Sequence, residues 1–522
     1  MGEMVSDWRA HAAESELAKL VEHLRPGELD IWLDSATPRL PETVRVNPCR
    51  PDVEWTCTEL QRMGATPIEW YTGAGGAFTM PWAKSKCPDD ELRSRIQALH
   101  ATGRLTQQEA ASMMPVQALD VHPNHRVLDL CAAPGSKATQ IAEILDSRGL
   151  VVVNEPNPGR ANHLVSNTQR SGHLNMVVVR EDGRHFPRVA EPGFDRILVD
   201  APCTGSGTTR KNTDVWRKWN PLHGDQMSRL QAGILSRGAL LLRPGGRMVY
   251  STCSIDPQEN EQVVEMVLER FPWLSLIEVN REEMFPGLKT RPGMTELTES
   301  CIRVWNDEND GSGFFIAVFT QTESEHDSAR ATRAQPRDEG REPIPIEPKR
   351  PGQKDLRIAE QEDLALFDDW GLDSQGLVMW RRGHYAHLST EEIRDWMWAA
   401  PRLTAKNRLY PGGHWQPMRV LQAGQPVWTL RRGHNRLVST GLHMISKRVQ
   451  KHRFEIDKAL LKRLLDGEEP GRSTLGDAFQ SERDGGILLN YADEYIPAWL
   501  AGKLSLMMPE SEQFILKWKL GL

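Results

Sequence analysis

A chain of 522 residues with 39% hydrophobic and 26% charged side chains is long enough for about three soluble domains and too apolar for a disordered protein. No run of about 18 apolar residues occurs and the stretch from Met1 to Arg25 is studded with Glu, Asp, Arg and His, so neither a membrane span nor a secretory leader is expected and the cytoplasm is the expected location. The net charge of -7 argues against a uniformly basic nucleic-acid coat, and seven scattered cysteines with no CxxC pair argue against a disulfide framework, a zinc knuckle or any metal site.

Taken in chain order, residues 1–112 read as a small α+β accessory domain. A helix is expected over Asp7–Leu24, an alternating strand within Leu40–Pro48, and helices at Thr58–Met63 and Asp89–Leu99 around a Gly-rich turn at Gly73–Gly76. Over 113–321 the pattern changes to alternating short apolar strands and helices. Strands are expected at Arg126–Leu130, Gly149–Val153, Met176–Val179, Asp195–Val199, Arg247–Tyr250 and Phe314–Phe319. Helices are expected at Lys137–Leu145, Pro158–Arg170, Gln226–Leu242 and Pro257–Arg270. This alternation implies an α/β, doubly wound, largely parallel sheet whose ligands meet the carboxyl ends of its strands. Residues 322–355 are too polar to bury a core and read as a linker. A further α+β domain is expected over 356–522.

The chemistry concentrates at the strand ends. Val127 to Lys137 reads as a strand, a small-residue turn and a helix start; Gly135 permits the turn, and Ala132 and Ala133 keep side chains away from a ligand. An acid follows each of the next three strands: Glu155, Asp182 and Asp200. An acid after the second strand suits a ribose diol, while the lack of GxGxxG argues against NAD. Cys203 and Cys253 follow the fourth and fifth strands. A thiolate there could add to C6 of a pyrimidine and make C5 a nucleophile toward a methyl group, with the second thiol assisting release; two buried small hydrophobes are the plainer alternative.

The stretches Asp200-Ala-Pro-Cys203-Thr-Gly through Trp219 and Gly246-Arg-Met-Val-Tyr-Ser-Thr-Cys253-Ser through Glu261 resemble the Sun-type RNA cytosine-5 methyltransferases. Leu128 to Lys137 matches that family's cofactor motif, and Arg45-Val46-Asn47 after Leu40-Pro41 looks like its N-terminal signature. The resemblance covers about 38 to 320 and implies a Rossmann-like class I methyltransferase domain flanked by RNA-binding-like domains. The Arg210-Lys211-Asn212 to Trp219 insertion and the C-terminal extension look most like the tRNA-modifying branch.

By that resemblance Cys253 is the nucleophile, Cys203 helps eliminate the methylated base, Asp200 contacts the ring near N3, and Lys137 holds and polarises the base. Cys131, Ala132, Ala133, Pro134, Gly135, Ser136, Lys137, Glu155, Asp182 and Asp200 are the expected contacts of S-adenosylmethionine. Arg45, Asn47, Arg210, Lys211, Arg217 and Lys218 are the expected RNA contacts, whereas the spacing of Trp216 and Trp219 favours packing over base stacking. The implied partner is RNA, with tRNA first. Ribosomal RNA, or a non-catalytic RNA-binding assembly factor, stands as the alternative. Two departures stand out: Glu155 replaces the family's frequent Asp, and Arg303-Val304-Trp305-Asn306-Asp307 stands where relatives often carry Arg-x-x-Pro-His.

Overall fold

The computed structural model describes residues 3–189, 193–321, 355–406, 408–431 and 434–522, so the expected linker lies outside the described residues except for Asp355. At its centre is a nine-stranded sheet. Its path runs Leu274–Leu276, Phe314–Gln321, Leu242–Thr252, Phe194–Asp200, Arg126–Asp129, Leu150–Asn154, Met176–Val179 and Val420–Ala423, with Ile302–Val304 pairing on Phe314–Gln321. The five strands from Leu242–Thr252 to Met176–Val179 are mutually parallel, and Phe314–Gln321 is antiparallel to its neighbour.

All six expected strands of this sheet form, because their Val/Ile/Leu runs are buried on both faces, as a helix-covered parallel sheet requires. The chain winds outward from Arg126–Asp129 in one direction and then crosses to Phe194–Asp200 on the other side. That reversal is the topological switch point where a doubly wound sheet opens a ligand crevice. Leu242–Thr252 begins earlier than its sequence indicates: Pro244-Gly245-Gly246 reads as a turn, yet the strand runs through it, with Leu242 opposite Phe194 and a register shift before Arg196.

The expected Asp7–Leu24 helix is two helices, Glu3–Ala13 and Glu16–Leu24, because the Ser15 side chain accepts the Ala18 N–H and starts a new helix. Together with Leu29–Ala36 they pack against Val215, Trp216, Trp219, Ile255 and Trp305 of the catalytic region. The following four-stranded sheet, ordered Thr66–Pro67, Ala77–Ala83, Pro41–Val46, Leu105–Gln107, has its own core.

The boundary expected near residue 355 marks a change in sequence, not in packing. Val420–Ala423 extends the central sheet antiparallel to Met176–Val179, and Trp396 meets Phe194 edge-on with ring centroids 4.9 Å apart. The last helix, Glu510–Leu520, returns to the N-terminal sheet: Ile515 enters that core, Trp518 lies 4.9 Å from Trp55, and Glu512 pairs with Arg104 at 2.7 Å. No helix among the described residues is long and apolar enough to cross a membrane.

Candidate active site

The loop after Arg126–Asp129 is pinned from several sides before the helix Ser136–Leu145 begins. Asn154, buried at the end of the next strand, donates to the carbonyls of Leu130 at 3.1 Å and Glu181 at 3.0 Å, while its own carbonyl takes the Ala132 N–H at 2.9 Å. Arg160 and Asn167 hold the Ala133 and Pro134 carbonyls at 2.8 and 2.7 Å. Gly135 turns with φ +115°, and a Cβ there would sit 3.0 Å from Leu164 Cδ1. The helix start thus lies at the cleft, lined there by Pro134, Gly135 and Ser136, a setting that suits an anionic group.

The three acids differ in availability. Glu155 is buried, accepting from the Asn157 N–H at 2.9 Å and pairing with Arg160 at 3.3 Å. Asp182 is chelated by Arg184, whose hydrogen bonds pull its carboxyl down to about 2. Asp200 lines the cleft. Asp129, which sequence reasoning passed over, is buried just before the loop; burial, reinforced by Asp200, pushes its carboxyl up to about 7, and one of its oxygens has no partner.

The thiols are brought together. Cys203 Sγ and Cys253 Sγ lie 3.2 Å apart. The hydrogen bond from the Cys203 thiol holds Cys253 below the usual thiol range, with Lys137 and Lys211 adding to the effect; the same contact, together with burial, pushes Cys203 well above it. The contact therefore makes Cys253, which lines the cleft, the more readily ionised of the two thiols. Beside them Lys137 Nζ donates to Asp200 Oδ2 at 2.7 Å and Ser112 Oγ at 2.8 Å, and Ser251 Oγ donates to the other Asp200 oxygen at 2.8 Å. Ser112 sits outside every sequence motif and was not foreseen.

Ser112, Lys137, Asp200 and Cys253 line a cleft of about 1220 Å³, together with Pro134 to Ser136, Phe314 and the basic side chains of Arg39, Lys84, Arg210 and Lys211; Cys203 lies behind Cys253, outside that lining. Cys131, Ala132, Ala133, Glu155 and Asp182 are not among its lining side chains. Burial and the nearby Lys211 both lower the Lys84 ammonium.

Two expected RNA contacts are corrected by the structure. Arg45 is fully buried: it donates to Gln108 at 3.0 Å and to the Ser136 carbonyl and Thr139 hydroxyl at 3.0 Å each, and it is ion-paired with Glu143. Asn47, also buried, spans the Gly103 and Ser171 carbonyls at 3.0 and 3.2 Å. Both dock neighbouring segments onto the central sheet. Arg210 lines the cleft while bonding the Pro38 carbonyl at 3.0 Å and Asp310 at 2.7 Å. Lys211, Arg217 and Lys218 are exposed, the last two paired with Asp214 at 2.9 and 2.6 Å. Trp216 and Trp219 are buried, Trp216 against Trp32 with ring centroids 5.4 Å apart.

Residues 116–320 match the model of a family described as 16S rRNA methyltransferase RsmB/F. A tRNA (cytosine(49)-C(5))-methyltransferase of Pyrococcus abyssi is 34% identical over 312 residues, covering 57% of this chain and 94% of that protein. The chain belongs to the Sun-type, RsmB/F methyltransferase family. A multisite-specific tRNA:(cytosine-C(5))-methyltransferase of Saccharomyces cerevisiae is 37% identical over 279 residues, 44% of this chain and 40% of that one. The ribosomal RNA small subunit methyltransferase F of Cronobacter sakazakii is 34% identical over 301 residues, 57% and 60% of the two chains. The chain thus spans 40% and 60% of the length of those two relatives.

In this Sun-type chain the departure at Arg303–Asp307 serves internal docking. Asn306 accepts the Trp32 indole N–H at 2.8 Å, and Asp307 takes two bonds of 2.7 Å from Arg25. Arg303 pairs with buried Glu261 at 2.5 Å and donates to the Ile255 carbonyl at 3.0 Å. The loop therefore fastens the N-terminal helices to the cysteine side of the sheet.

Proposed function

We propose that this chain transfers a methyl group from S-adenosylmethionine to C5 of a cytosine in RNA, acting on tRNA in the cytoplasm. The observation that carries the reading is the pair of thiols 3.2 Å apart beside the Lys137–Asp200 ion pair at one end of an open cleft. Two thiols beside a fixed ammonium are what addition to an electron-poor ring needs.

The cofactor's carboxylate would be held at the helix start, where Pro134 to Ser136 line the cleft; a ribose contact at Glu155, which is buried and paired with Arg160, requires that ion pair to open. When bound the cofactor supplies an electrophilic methyl group. Cys253 adds its thiolate to C6, so the C5=C6 pair shifts toward the ring's N3–O2 system, where Lys137 stabilises the developing negative charge and Asp200 holds Lys137 in place while facing the ring's N3 edge. After C5 is methylated, a base must take the C5 proton as the C6–Sγ bond breaks. Cys203, once its own proton has passed to solvent, takes the C5 proton, and the thiol so formed can again donate to Cys253 Sγ as that sulfur leaves C6 as a thiolate. A nucleotide splayed out of its helix would reach this point through the cleft, its phosphates passing Arg39, Lys84 and Lys211. We read the flanking regions 1–112 and 356–522 as the parts that hold the rest of the RNA.

A tRNA substrate is favoured by the Pyrococcus relative, covered over 94% of its length. Ribosomal RNA is the second reading, favoured by the family description and the Cronobacter relative. Bisulfite sequencing of host RNA with and without the protein decides: cytosines protected in tRNA only when the protein is present support the proposal. Protection confined to ribosomal RNA selects the second reading, and no change in any RNA favours a non-catalytic assembly factor.

A further inference from the structure

Beneath the two thiols lies a carboxylate that neither touches the cleft nor takes part in the scheme above. Glu259 is wholly buried. Its Oε1 accepts the Thr204 N–H at 2.9 Å and the Gln231 side-chain amide at 3.0 Å; its Oε2 accepts the Ser254 hydroxyl at 2.6 Å and that of Thr204 as well. Thr204 follows Cys203 and Ser254 follows Cys253, so one side chain grips both cysteine loops. Gln231 extends the grip, since the same amide nitrogen donates to the Pro202 carbonyl at 2.9 Å, just before Cys203. The Glu259 backbone is fixed by Tyr250, whose hydroxyl donates to its main-chain carbonyl.

Both loops have other ties. Asn260 bonds Thr252 at 2.6 Å and the Ser254 carbonyl at 2.9 Å, and the two loops meet directly where Gly207 N–H donates to the Cys253 carbonyl at 2.9 Å and Ser206 Oγ lies 2.8 Å from Ser254 Oγ. At Thr204, the residue next to Cys203, both the backbone N–H and the hydroxyl go to Glu259.

We infer that Glu259 is a positioning residue that sets the distance between Cys203 and Cys253 and therefore acts chiefly on the step that needs both, release of the methylated base. The inference rests on the division of labour proposed above. Acceptor geometry also ranks the substitutions. The Oε1 partners are N–H groups that cannot reverse, whereas the Oε2 partners are hydroxyls that can turn to accept. Glu259→Gln can therefore seat with its carbonyl toward Thr204 N and its amide toward the hydroxyls, while Glu259→Ala releases the Cys203 loop.

Two measurements on the full chain test this. In the first, diamide oxidises the two thiols to a disulfide, itself reduced to the hydrazine with uptake of their two protons, and peptide mass mapping follows closure of the Cys203–Cys253 bond. Closure should slow by on the order of a hundredfold in Glu259→Ala, as expected for groups moved out of register, and by much less in Glu259→Gln. Unchanged closure in Glu259→Ala overturns the inference, and circular dichroism verifies that each variant is folded; if Glu259→Ala does not fold, Glu259→Asp, whose carboxylate falls one methylene short of Thr204, takes its place, and a closure rate equal to wild type there overturns the inference. In the second, single-turnover reactions with RNA should show Glu259→Ala accumulating the Cys253–RNA adduct with release lost, as Cys203→Ala does. Adduct and product falling together, in proportion to the folded fraction, mark a merely structural role and overturn the inference. Should Cys203→Ala itself trap nothing, the division of labour fails, and the disulfide rates still decide the role of Glu259.

Discussion

Replacing Arg45 with leucine tests whether this residue holds the fold or the RNA. In the structure its guanidinium is fully buried and faces Glu143, itself 6% exposed, together with Gln108, the Ser136 carbonyl and Thr139. Leucine keeps the apolar stem but leaves the Glu143 carboxylate buried without its cation, and removing one member of a buried pair typically costs about 3–5 kcal/mol. Because Glu143 and Ser136 lie on the helix that follows the cofactor loop, part of the loss should appear as weaker S-adenosylmethionine binding. Urea unfolding followed by tryptophan fluorescence reads the first effect, and calorimetric titration with the cofactor reads the second. The double variant Arg45→Leu/Glu143→Leu removes the stranded charge and should recover much of the stability, giving a coupling energy of about 1–3 kcal/mol. Stability equal to wild type in Arg45→Leu, with RNA binding weakened and its salt dependence reduced, would refute the structural assignment and return Arg45 to the RNA.

Two further outcomes are expected. Lys84→Ala and Lys211→Ala should each weaken RNA binding and flatten its dependence on log salt by about 0.7–0.9 for every phosphate no longer neutralised, with little effect on kcat at saturating RNA; a slope unchanged in both places the RNA backbone elsewhere. Acid should destabilise the fold: burial lowers His173 to about 3 and His387 to about 4 from 6.5. Because these folded-state values lie below the unfolded one, the stability they confer is complete above 6.5 and falls as the pH drops toward them, by about 2 kcal/mol each at pH 5. His387→Gln should therefore show a shallower fall in Tm between pH 7 and 5 than wild type, and an equal fall argues that His387 is protonated in the fold.

Much of the catalytic fold was legible because its parallel strands, buried on both faces, write themselves as short apolar runs between turn residues, as at Leu150–Asn154 and Met176–Val179. The thiol pair was legible for a related reason: both cysteines end such strands, and neighbouring parallel strands open on one edge. What escaped depends on partners distant in the chain. Arg45 and Asn47 lie in or beside recognisable motifs, and nothing local distinguishes a guanidinium bound for phosphate from one bound for Glu143. The pairing of Val420–Ala423 with Met176–Val179 is a non-local choice. Ser112 and Glu259 act on groups that only folding brings beside them, Lys137 in one case and the Cys203 loop in the other.

The unequal roles of the two thiols are the centre of the account, and trapping tests them most directly. Cys203→Ala, incubated with S-adenosylmethionine and unmodified tRNA, should accumulate an RNA–protein band on a denaturing gel, mapped by mass spectrometry to Cys253, while Cys253→Ala should form no band and no 5-methylcytosine. A band mapped to Cys203 in Cys253→Ala, or equal and mild losses in both variants, would contradict it.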